Sequence, residues 1–598
     1  MLVEEHYLQL RTHFSDEQNG EWIEVKLTKI SEILYSTKRN ANLLIKKMED
    51  REWIKWSSGR GRGISSKIMF LKEKDILLVE LAKSKVLSGD LHNAHSLLNT
   101  YDVSNEGGVM FSEWMEQQLG YHQKETSQQP LDILRFPFYR PIPFLDPAFA
   151  MRRTEVHIVK QLFDTLVIYN PNTETIEPHL AHHWTSDETN KVWTFYLRKG
   201  IRFHHGKTMT SLDVDYTLRR VQNPDTKSPH QWMVNGIKNI TCIHDHAIQI
   251  ELIEPNSLFV NVLISSKLSI VPNDLHEHED FATLPIGTGP FSIKQNDKSK
   301  LLLRVNEHYF KERAHLDQIE IWIWPDETDE HRLKTLNFKY LVAPKNSLQD
   351  GKEFVELNRF ENEIFYLVFN LHKQAPYQNA NFRKAFHHAI NRSLIIEELR
   401  GFRHKPASGF LPSNKIETYM NDYDLNKAKE ELARSGYSGE TIHLYIYEMQ
   451  SNIENAQWIK RAAEKLGVHI EISVFPIEEL RKKDVMMQAD LIAAGEVFDT
   501  NIEIELIGLY RENGSFIGSL IGEKHREEIE DQIAKALRTS NKIQRLQLLN
   551  DIENIIRDRN SVIFLYHNRQ NAVHHNSLKG VSLNALGWIE YRDLWLEK

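Results

Sequence analysis

The sequence predicts a multidomain protein in which a small α+β module precedes a much larger α/β region with several lobes. At 598 residues the chain is too long for one hydrophobic core. Strand-like and helix-like segments alternate through most of its length, which favours an α/β clamshell with a cleft between lobes. Residues 38–74 hold eleven Lys and Arg against four Asp and Glu, whereas the whole chain carries a net charge of −9. Such asymmetry indicates one anion-facing module.

The composition also bears on the compartment. Hydrophobic residues make up 41% and charged residues 26%, as in ordinary globular proteins. No run of about eighteen apolar residues exists, so no transmembrane helix is expected. The start, MLVEEHYLQLRTHF, lacks the apolar segment of a secretion signal, so we expect a cytoplasmic location. The single cysteine, Cys242, excludes an intrachain disulfide and fits a reducing compartment.

The first 74 residues read as helices followed by a β-hairpin. A first helix carries Tyr7, Leu8, Leu10 and Phe14, a second is predicted to be capped by Thr28, and a third runs over about 36–51. The inward face of the third helix holds Ala41, Leu44, Ile45 and Met48; its outer face holds Thr37, Lys38, Arg39, Asn42 and Lys46. A helix with such a face can enter the major groove, where Arg and Asn read base edges and Lys neutralises phosphates.

Two strands, around 53–56 and 68–71, flank the basic glycine-rich tip 57–63 and predict a wing. The motif Gly59-x-Gly61-x-Gly63 lacks the Lys-Ser/Thr ending and the strand–loop–helix context of a phosphate loop. A basic helix is more often a solvated face than a DNA reader. Helix, helix-turn-helix and basic wing in this order, together with the local charge, nevertheless predict a DNA-binding winged helix-turn-helix.

Residues 75–130 are predicted to be a helical connector ending in a linker. An apolar stripe with Leu77, Leu78, Leu81, Val86 and Leu87 starts after Asp75, and Phe111, Trp114, Met115 and Leu119 form another amphipathic helix. The first stripe is expected to serve packing, with a homodimer surface as the alternative. Residues 122–130 are polar and apolar-poor, and we expect a linker there.

The remaining residues, 131–598, carry a long ordered pattern. Trp193, Phe195 and Leu197 alternate with polar residues as in a half-buried strand, and Asp213–Arg220 has helical spacing. The segment Gly287-Thr288-Gly289-Pro290-Phe291 and the strand Phe365–Asn370 follow. This order resembles the extracytoplasmic solute-binding proteins of peptide and nickel ABC transporters, which have a three-lobed periplasmic-binding-protein-like fold. The resemblance implies first lobes at about 131–366 and 562–598, with Ile563–Tyr566 returning there, and a second main lobe at about 370–560.

A winged helix followed by such a solute-binding domain resembles the layout of the SgrR family of transcriptional regulators. The segment that carries the likeness is TKISEILYSTKRNANLLIKKMEDREWIKWSSGRGRGISSKIMFL. The resemblance implies three parts: 1–74, a DNA-binding domain; 75–130, a connector; and 131–598, a family 5 solute-binding sensor. It also implies that the recognition helix begins over Ser36–Asn42, which includes Asn40, and that Arg60, Arg62 and Lys67 lie on the wing.

One pattern bears on ligand chemistry. In peptide-binding members of the resembled family, Gly-Trp followed three residues later by Asp supplies a carboxylate for the ligand's amino group. Here Gly495 and Asp499 keep their positions, whereas Glu496 stands where the tryptophan would be. Asp499 could equally cap a helix starting near Asn501, and both interpretations stay open. Asn370, at the end of the crossover strand, is predicted to contribute to the ligand site.

Neither an enzyme nor a metal protein is predicted. The 29 histidines include the pairs 182–183, 204–205, 387–388 and 574–575, which are expected to be surface or hydrogen-bonded histidines rather than ligands of a helical zinc site. No nucleophile–base arrangement can be singled out, and no cofactor is expected.

The sequence therefore predicts a regulator that binds double-stranded promoter DNA and senses a small metabolite such as a sugar phosphate or a peptide. One alternative is a receptor of a peptide-type ABC transporter. Another is a cytoplasmic peptide-scavenging or chaperone-like binder whose winged helix makes protein contacts.

Overall fold

The computed structural model describes residues 2–59, 65–125, 130–324, 341–342, 354–412, 422–576 and 578–597. Its first part is a helix-turn-helix with a small antiparallel sheet. The elements are α1 (Val3–His13), β1 (Ile23–Val25), α2 (Leu27–Ile33), α3 (Lys38–Asp50), β2 (Ile54–Ser57) and β3 (Ser66–Phe70). The strand order is β1–β3–β2. The three-residue β1 is too short to show an alternating pattern, and the sequence did not predict it.

The second helix of the helix-turn-helix, α3, packs through the apolar face that the sequence predicts. Ala41, Leu44, Ile45 and Met48 of α3 are buried. Thr37 is the N-cap of α3, and its hydroxyl accepts a hydrogen bond from the Asn40 N–H at 3.3 Å. The predicted cap at Thr28 is wrong: Lys26 is the N-cap and α2 starts at Leu27, so Thr28 lies inside the helix.

The connector comprises α4 (Lys74–Leu87), α5 (Leu91–Thr100), α6 (Asn105–Glu116) and β4 (Gly120–Lys124). Four of the five predicted stripe residues of α4 are buried within the chain, with Leu77 in the winged-helix core and Leu78 in a separate connector core, whereas the fifth, Leu87, is exposed. This favours packing over a homodimer surface. The predicted linker is partly wrong, because β4 pairs antiparallel with the first strand of the next domain. Polar side chains do not prevent a strand at a sheet edge, where the neighbouring backbone satisfies its hydrogen bonds.

The first lobe contains a five-stranded sheet of order β12–β13–β14–β5–β4. Its elements beyond β4 are β5 (Leu131–Phe138), α7 (Arg153–Leu162), β12 (Phe291–Asn296), β13 (Lys300–Val305) and β14 (Gln318–Ile323). Near the C-terminus, β22 (Leu578–Lys579) and β23 (Trp595–Leu596) pair, and Leu578, Trp588, Tyr591 and Leu594 enter the same core.

In the sequence, the second lobe is inserted between α7 and β12 of the first lobe. It contains a four-stranded antiparallel sheet of order β10–β11–β9–β8. Its elements are β6 (Val167–Asn170), β7 (Thr175–Pro178), β8 (Ala181–Ser186), β9 (Val192–Leu197), α8 (Ser211–Gln222), β10 (Ile237–His244), β11 (Ala247–Leu252) and α9 (Phe259–Val262). Trp193, Phe195 and Leu197 are buried on one face of β9, which confirms the predicted alternation.

The third lobe is built on a seven-stranded sheet of order β15–β21–β16–β20–β18–β19, with β17 also paired to β21. Its strands are β15 (Leu341–Val342), β16 (Phe354–Phe369), β17 (Arg403–Pro406), β18 (Ile442–Tyr447), β19 (Ile470–Phe475), β20 (Leu491–Val497) and β21 (Val562–His575). Its helices are α10 (Ala380–Ala389), α11 (Arg392–Leu399), α12 (Leu425–Ala433), α13 (Gln450–Glu464), α14 (Ile477–Leu480), α15 (Lys483–Met486), α16 (Ile502–Arg511), α17 (Phe516–Leu520), α18 (Glu523–Arg538) and α19 (Lys542–Asp558).

The position of β21 corrects the sequence-based lobe assignment. The segment Ile563–Tyr566 pairs with β16 in the third lobe and does not return to the first. The chain enters the first-lobe core again only after residue 576, through its last strands. Among the described residues, no helix combines the length and apolar character that a membrane crossing needs.

Candidate ligand cavity and nucleic-acid interface

A cavity of about 1160 Å³ lies between the first and third lobes. The first lobe contributes residues 134–140, 151–154 and 586–589, and the third lobe contributes Phe365, Tyr447, Asn455, residues 495–499 and Tyr566. Aromatic rings supply much of this wall, as is common in small-molecule sites. Three further wall residues are Glu116 and Leu119 from the connector and Trp324, which follows β14. Two residues of the N-terminal part of the chain thus line the cavity.

The predicted residues Gly495, Glu496 and Asp499 all line this cavity. Asp499 Oδ2 lies 2.5 Å from the Lys160 Nζ of α7, and its Oδ1 accepts a hydrogen bond from the Thr500 N–H at 2.7 Å. The N-cap of α16 is Asn501, so Asp499 does not hold the capping position that was its alternative role. The lysine was not predicted, because no local sequence pattern relates it to Asp499.

Electrostatics keep both groups of this pair charged. Burial alone would raise the pKa of Asp499, but Lys160, together with the Thr500 N–H and Lys267, offsets it and the pKa is lowered. Burial likewise opposes the charge on Lys160, yet Asp499, together with Glu590 and Glu505, outweighs it and the pKa of the ammonium group is raised. The favourable interactions of each charged form therefore exceed its desolvation cost.

Two other carboxylates of the wall, Glu496 and Glu505, make no ion pair or hydrogen bond with another described residue. Burial raises the pKa of Glu496 to about 7, although Arg481 and Lys267 counteract it. Burial also raises the pKa of Glu505. Glu512 differs, because the Lys267 ammonium group lies 3.1 Å from its carboxylate and its pKa is depressed despite burial.

The prediction that Asn370 belongs to the ligand site is wrong. Its side chain is fully buried away from the cavity wall. The amide group donates to the carbonyls of Met487 at 3.0 Å and Ala489 at 2.9 Å, and its oxygen accepts from the His372 N–H. Asn370 therefore fixes the end of β16 to the loop before β20.

The predicted DNA-contacting residues at the start of α3 and in the turn before it are accessible. Thr37, Lys38, Arg39, Asn40, Asn42 and Lys46 are exposed, and Ser36 is half-buried. Lys38, Arg39 and Lys46 form no ion pair with any described residue, so their charges face solvent. Lys67 lies on β3, 3.3 Å from Glu24. Arg60 and Arg62 lie outside the described residues.

A histidine and carboxylate group also occurs away from the cavity wall. The side chains of His205, Asp274 and His278 bring possible metal-ligand atoms within 4.8 Å of one another. The Lys207 ammonium group lies 3.3 Å from Asp274 and supplies a positive charge there. The same ammonium group also lies 3.0 Å from Asp213, so two carboxylates share its positive charge.

A winged helix-turn-helix joined to a three-lobed clamshell with an inter-lobe cavity defines the class: a solute-binding fold fused to a regulatory N-terminal module. The family model of bacterial extracellular solute-binding proteins, family 5, matches residues 175–501. The model described as sugar transport-related sRNA regulator N-term matches residues 3–123. The chain belongs to the family 5 solute-binding proteins and, through its N-terminal module, to the SgrR family of transcriptional regulators. Neither is a family of enzymes.

Relatives match the chain over its whole length, and solved structures match its solute-binding fold. The uncharacterized protein YhjP of Bacillus subtilis (strain 168) is 30% identical over the full length of both chains. The HTH-type transcriptional regulator SgrR of Photorhabdus laumondii is 25% identical, covering 99% of this chain and 98% of the relative. The periplasmic binding protein DppA of Helicobacter pylori, in complex with peptide STSA, superimposes with a TM-score of 0.66 at 24% identity, covering 78% of this chain and 98% of its own. Agrobacterial AgaA in complex with agropinic acid has the same TM-score at 20% identity, covering 78% and 99%.

Proposed function

We propose that this protein is a cytoplasmic transcriptional regulator that binds promoter DNA through α3 and the wing and senses a small solute in the inter-lobe cavity. The observation that carries the proposal is that the N-terminal segment and the clamshell both line the cavity. Glu116 and Leu119 belong to the segment that matches the regulator model, and they line the same cavity as the clamshell residues. A ligand there contacts both parts of the protein.

The proposal that this module binds DNA is supported by the basic side chains on the outer face of α3. Arg51 and Lys72 of the same module are held by ion pairs with Glu4 and Glu80. The basic side chains on the outer face of α3 have no such partner among the described residues. Unpaired cations on an exposed helix are available to phosphates and base edges. Promoter DNA is therefore the proposed macromolecular partner.

The coupling half is supported by the packing of α1 and α4. In α1, Tyr7 packs in the winged-helix core and Leu8 in the connector core. In α4, Leu77 packs in the winged-helix core and Leu78 in the connector core. Two helices thus belong to both cores at once. A shift of the connector against the clamshell would move the winged helix with it.

A ligand can change promoter affinity only if it binds the two arrangements of the clamshell with different affinity. A sugar phosphate, a peptide or a similar solute is the proposed ligand class. Fluorescence anisotropy with the duplex upstream of the protein's own gene would test the proposal. We expect binding that weakens with salt, and at least one solute of a hexose-phosphate and peptide panel should shift the affinity. The Asp499→Ala variant should alter that shift.

Unchanged DNA affinity across the whole panel would contradict sensing, and absence of any duplex binding would contradict the regulator itself. The fold likeness to transport receptors favours a second candidate, a solute receptor of a peptide-type ABC importer. That candidate predicts the protein in the extracytoplasmic fraction of fractionated cells, and the regulator predicts it in the cytoplasmic fraction.

A further inference from the structure

The ion pair between Lys160 and Asp499 connects two lobes at the cavity wall. Lys160 belongs to α7 of the first lobe, and Asp499 lies between β20 and α16 of the third. The side chains are 26% and 17% exposed, and their charged atoms are 2.5 Å apart. The chain itself therefore brings a cation to a carboxylate that lines the ligand cavity.

This cation has the same chemistry as one end of a free peptide. The lysine ammonium group and the α-ammonium group of a peptide are both primary ammonium groups with three donors. One oxygen of Asp499 already accepts from Lys160 and the other from the Thr500 N–H. A ligand ammonium at Asp499 would have to share one negative charge with Lys160, and two like charges at that distance repel.

Lys160 does not leave Asp499 by losing its proton near neutral pH. Burial opposes its charge, but Asp499 and, further off, Glu590 and Glu505 favour it, and the net effect raises its pKa. His157, which lies three residues earlier on the same helix, is fully buried, and burial lowers its pKa to about 3, so it adds no positive charge. Of these two α7 groups, only Lys160 therefore acts as a counter-ion of Asp499.

We propose that Lys160 is a specificity-determining residue of the cavity: as a built-in counter-ion it closes Asp499 to a ligand's ammonium group and so excludes solutes that would dock a free amino terminus there. The cavity accordingly takes ligands without a free amino terminus at this position. This inference rests on the proposed role of the cavity as a ligand site and does not depend on DNA binding.

The test is a gain of binding in the full-length protein. Isothermal titration calorimetry with tri-alanine compares the parent with the Lys160→Met variant, which matches the length of the side chain without its charge. We expect the variant to bind tri-alanine at least about tenfold more tightly than the parent. N-acetyl-tri-alanine, which lacks the ammonium group, should show no gain. The double variant Lys160→Met/Asp499→Asn should lose the gain.

Lys160→Arg keeps the charge and should behave like the parent, and Lys160→Gln provides a second neutral variant if the methionine variant does not fold. Circular dichroism and thermal melting establish folding for each. The proposal is overturned if folded neutral variants gain no tri-alanine affinity, or if the parent binds tri-alanine and Asp499→Asn abolishes that binding. Anisotropy with the promoter duplex is a separate measurement, so a failure of DNA binding would not be confused with either result.

Discussion

Trp324 stacks on Phe111 of α6 with ring centroids 5.4 Å apart and an interplanar angle of 26°. Trp324 is at once a residue of the cavity wall and a member of the connector core. His95 of α5 meets the same indole edge-on, with ring centroids 5.1 Å apart. The end of β14 is thereby fixed between the ligand cavity and the helices that carry the winged helix.

Removal of the Phe111 ring should destabilise the contact between the connector helices and Trp324. Phe111→Ala deletes a fully buried ring, and we expect a loss of about 3–5 kcal/mol in the stability of the connector. Scanning calorimetry should then show the winged helix and connector melting at a lower temperature than the clamshell. Met110→Ala, on the exposed side of the same helix, is the matched control and should melt like the parent. An unchanged melting profile for Phe111→Ala would contradict the role of this contact.

Arg39 should contribute directly to DNA recognition. If it reads a base edge, Arg39→Ala weakens operator binding by about 1–3 kcal/mol and relaxes the preference for operator over unrelated DNA. Anisotropy titrations against both duplexes measure this. Lys429→Ala, an exposed lysine of α12, removes the same charge far from the interface and should leave binding unchanged. Parent-like binding by Arg39→Ala would show that α3 does not read the groove.

The wing is expected to act differently. Arg60 is predicted to contact phosphate, so Arg60→Ala should weaken operator and unrelated DNA alike. The slope of log affinity against log salt should become shallower by about one. Titrations at several salt concentrations measure this slope. A selective loss of operator binding would instead assign Arg60 to base recognition.

Gly289 should be essential for the first-lobe core. A Cβ at this position would lie 2.5 Å from the Leu162 carbonyl carbon and 2.6 Å from the Phe163 nitrogen, and backbone atoms cannot yield. Gly289→Ala should therefore destabilise the clamshell by about 1–3 kcal/mol or more in denaturant titrations. Gly236→Ala is the control, because no heavy atom lies within 4 Å of the position that its new methyl group would take. Equal stability of the two variants would refute the close approach.

Glu496 should make stability depend on pH. Burial raises its pKa from an ordinary 4.5 to about 7, so the folded state binds the proton more tightly than the unfolded state. Stability from this group is complete below pH 4.5 and is lost as the pH rises through 7. A glutamine side chain cannot ionise, so Glu496→Gln should not lose this stability as the pH rises. Relative to the parent, the variant should gain on the order of 2 kcal/mol in the free energy of unfolding between pH 5 and pH 8.

Thermal melts of Glu496→Gln and the parent across this pH range check the sign. The exposed Glu188→Gln serves as the control, since its side chain faces solvent and should show no such trend. A constant difference between Glu496→Gln and the parent at all pH values would mean that Glu496 titrates normally.

The sequence alone was sufficient for features that depend on local periodicity. The helical face of Ala41 and Leu44 and the alternation of β9 are each set by neighbouring residues, and the structure confirms them. Hydrophobic periodicity determines such elements because the side chains that share a face are only a few residues apart.

The tertiary structure decided what local patterns do not encode. It placed β21 in the third-lobe sheet, buried Asn370 as a backbone clamp and made β4 an edge strand of the first lobe. It also brought Lys160 to Asp499 from another lobe. These outcomes depend on which surfaces pack together across the whole chain, and an ion pair between distant residues leaves no spacing that a single sequence can reveal.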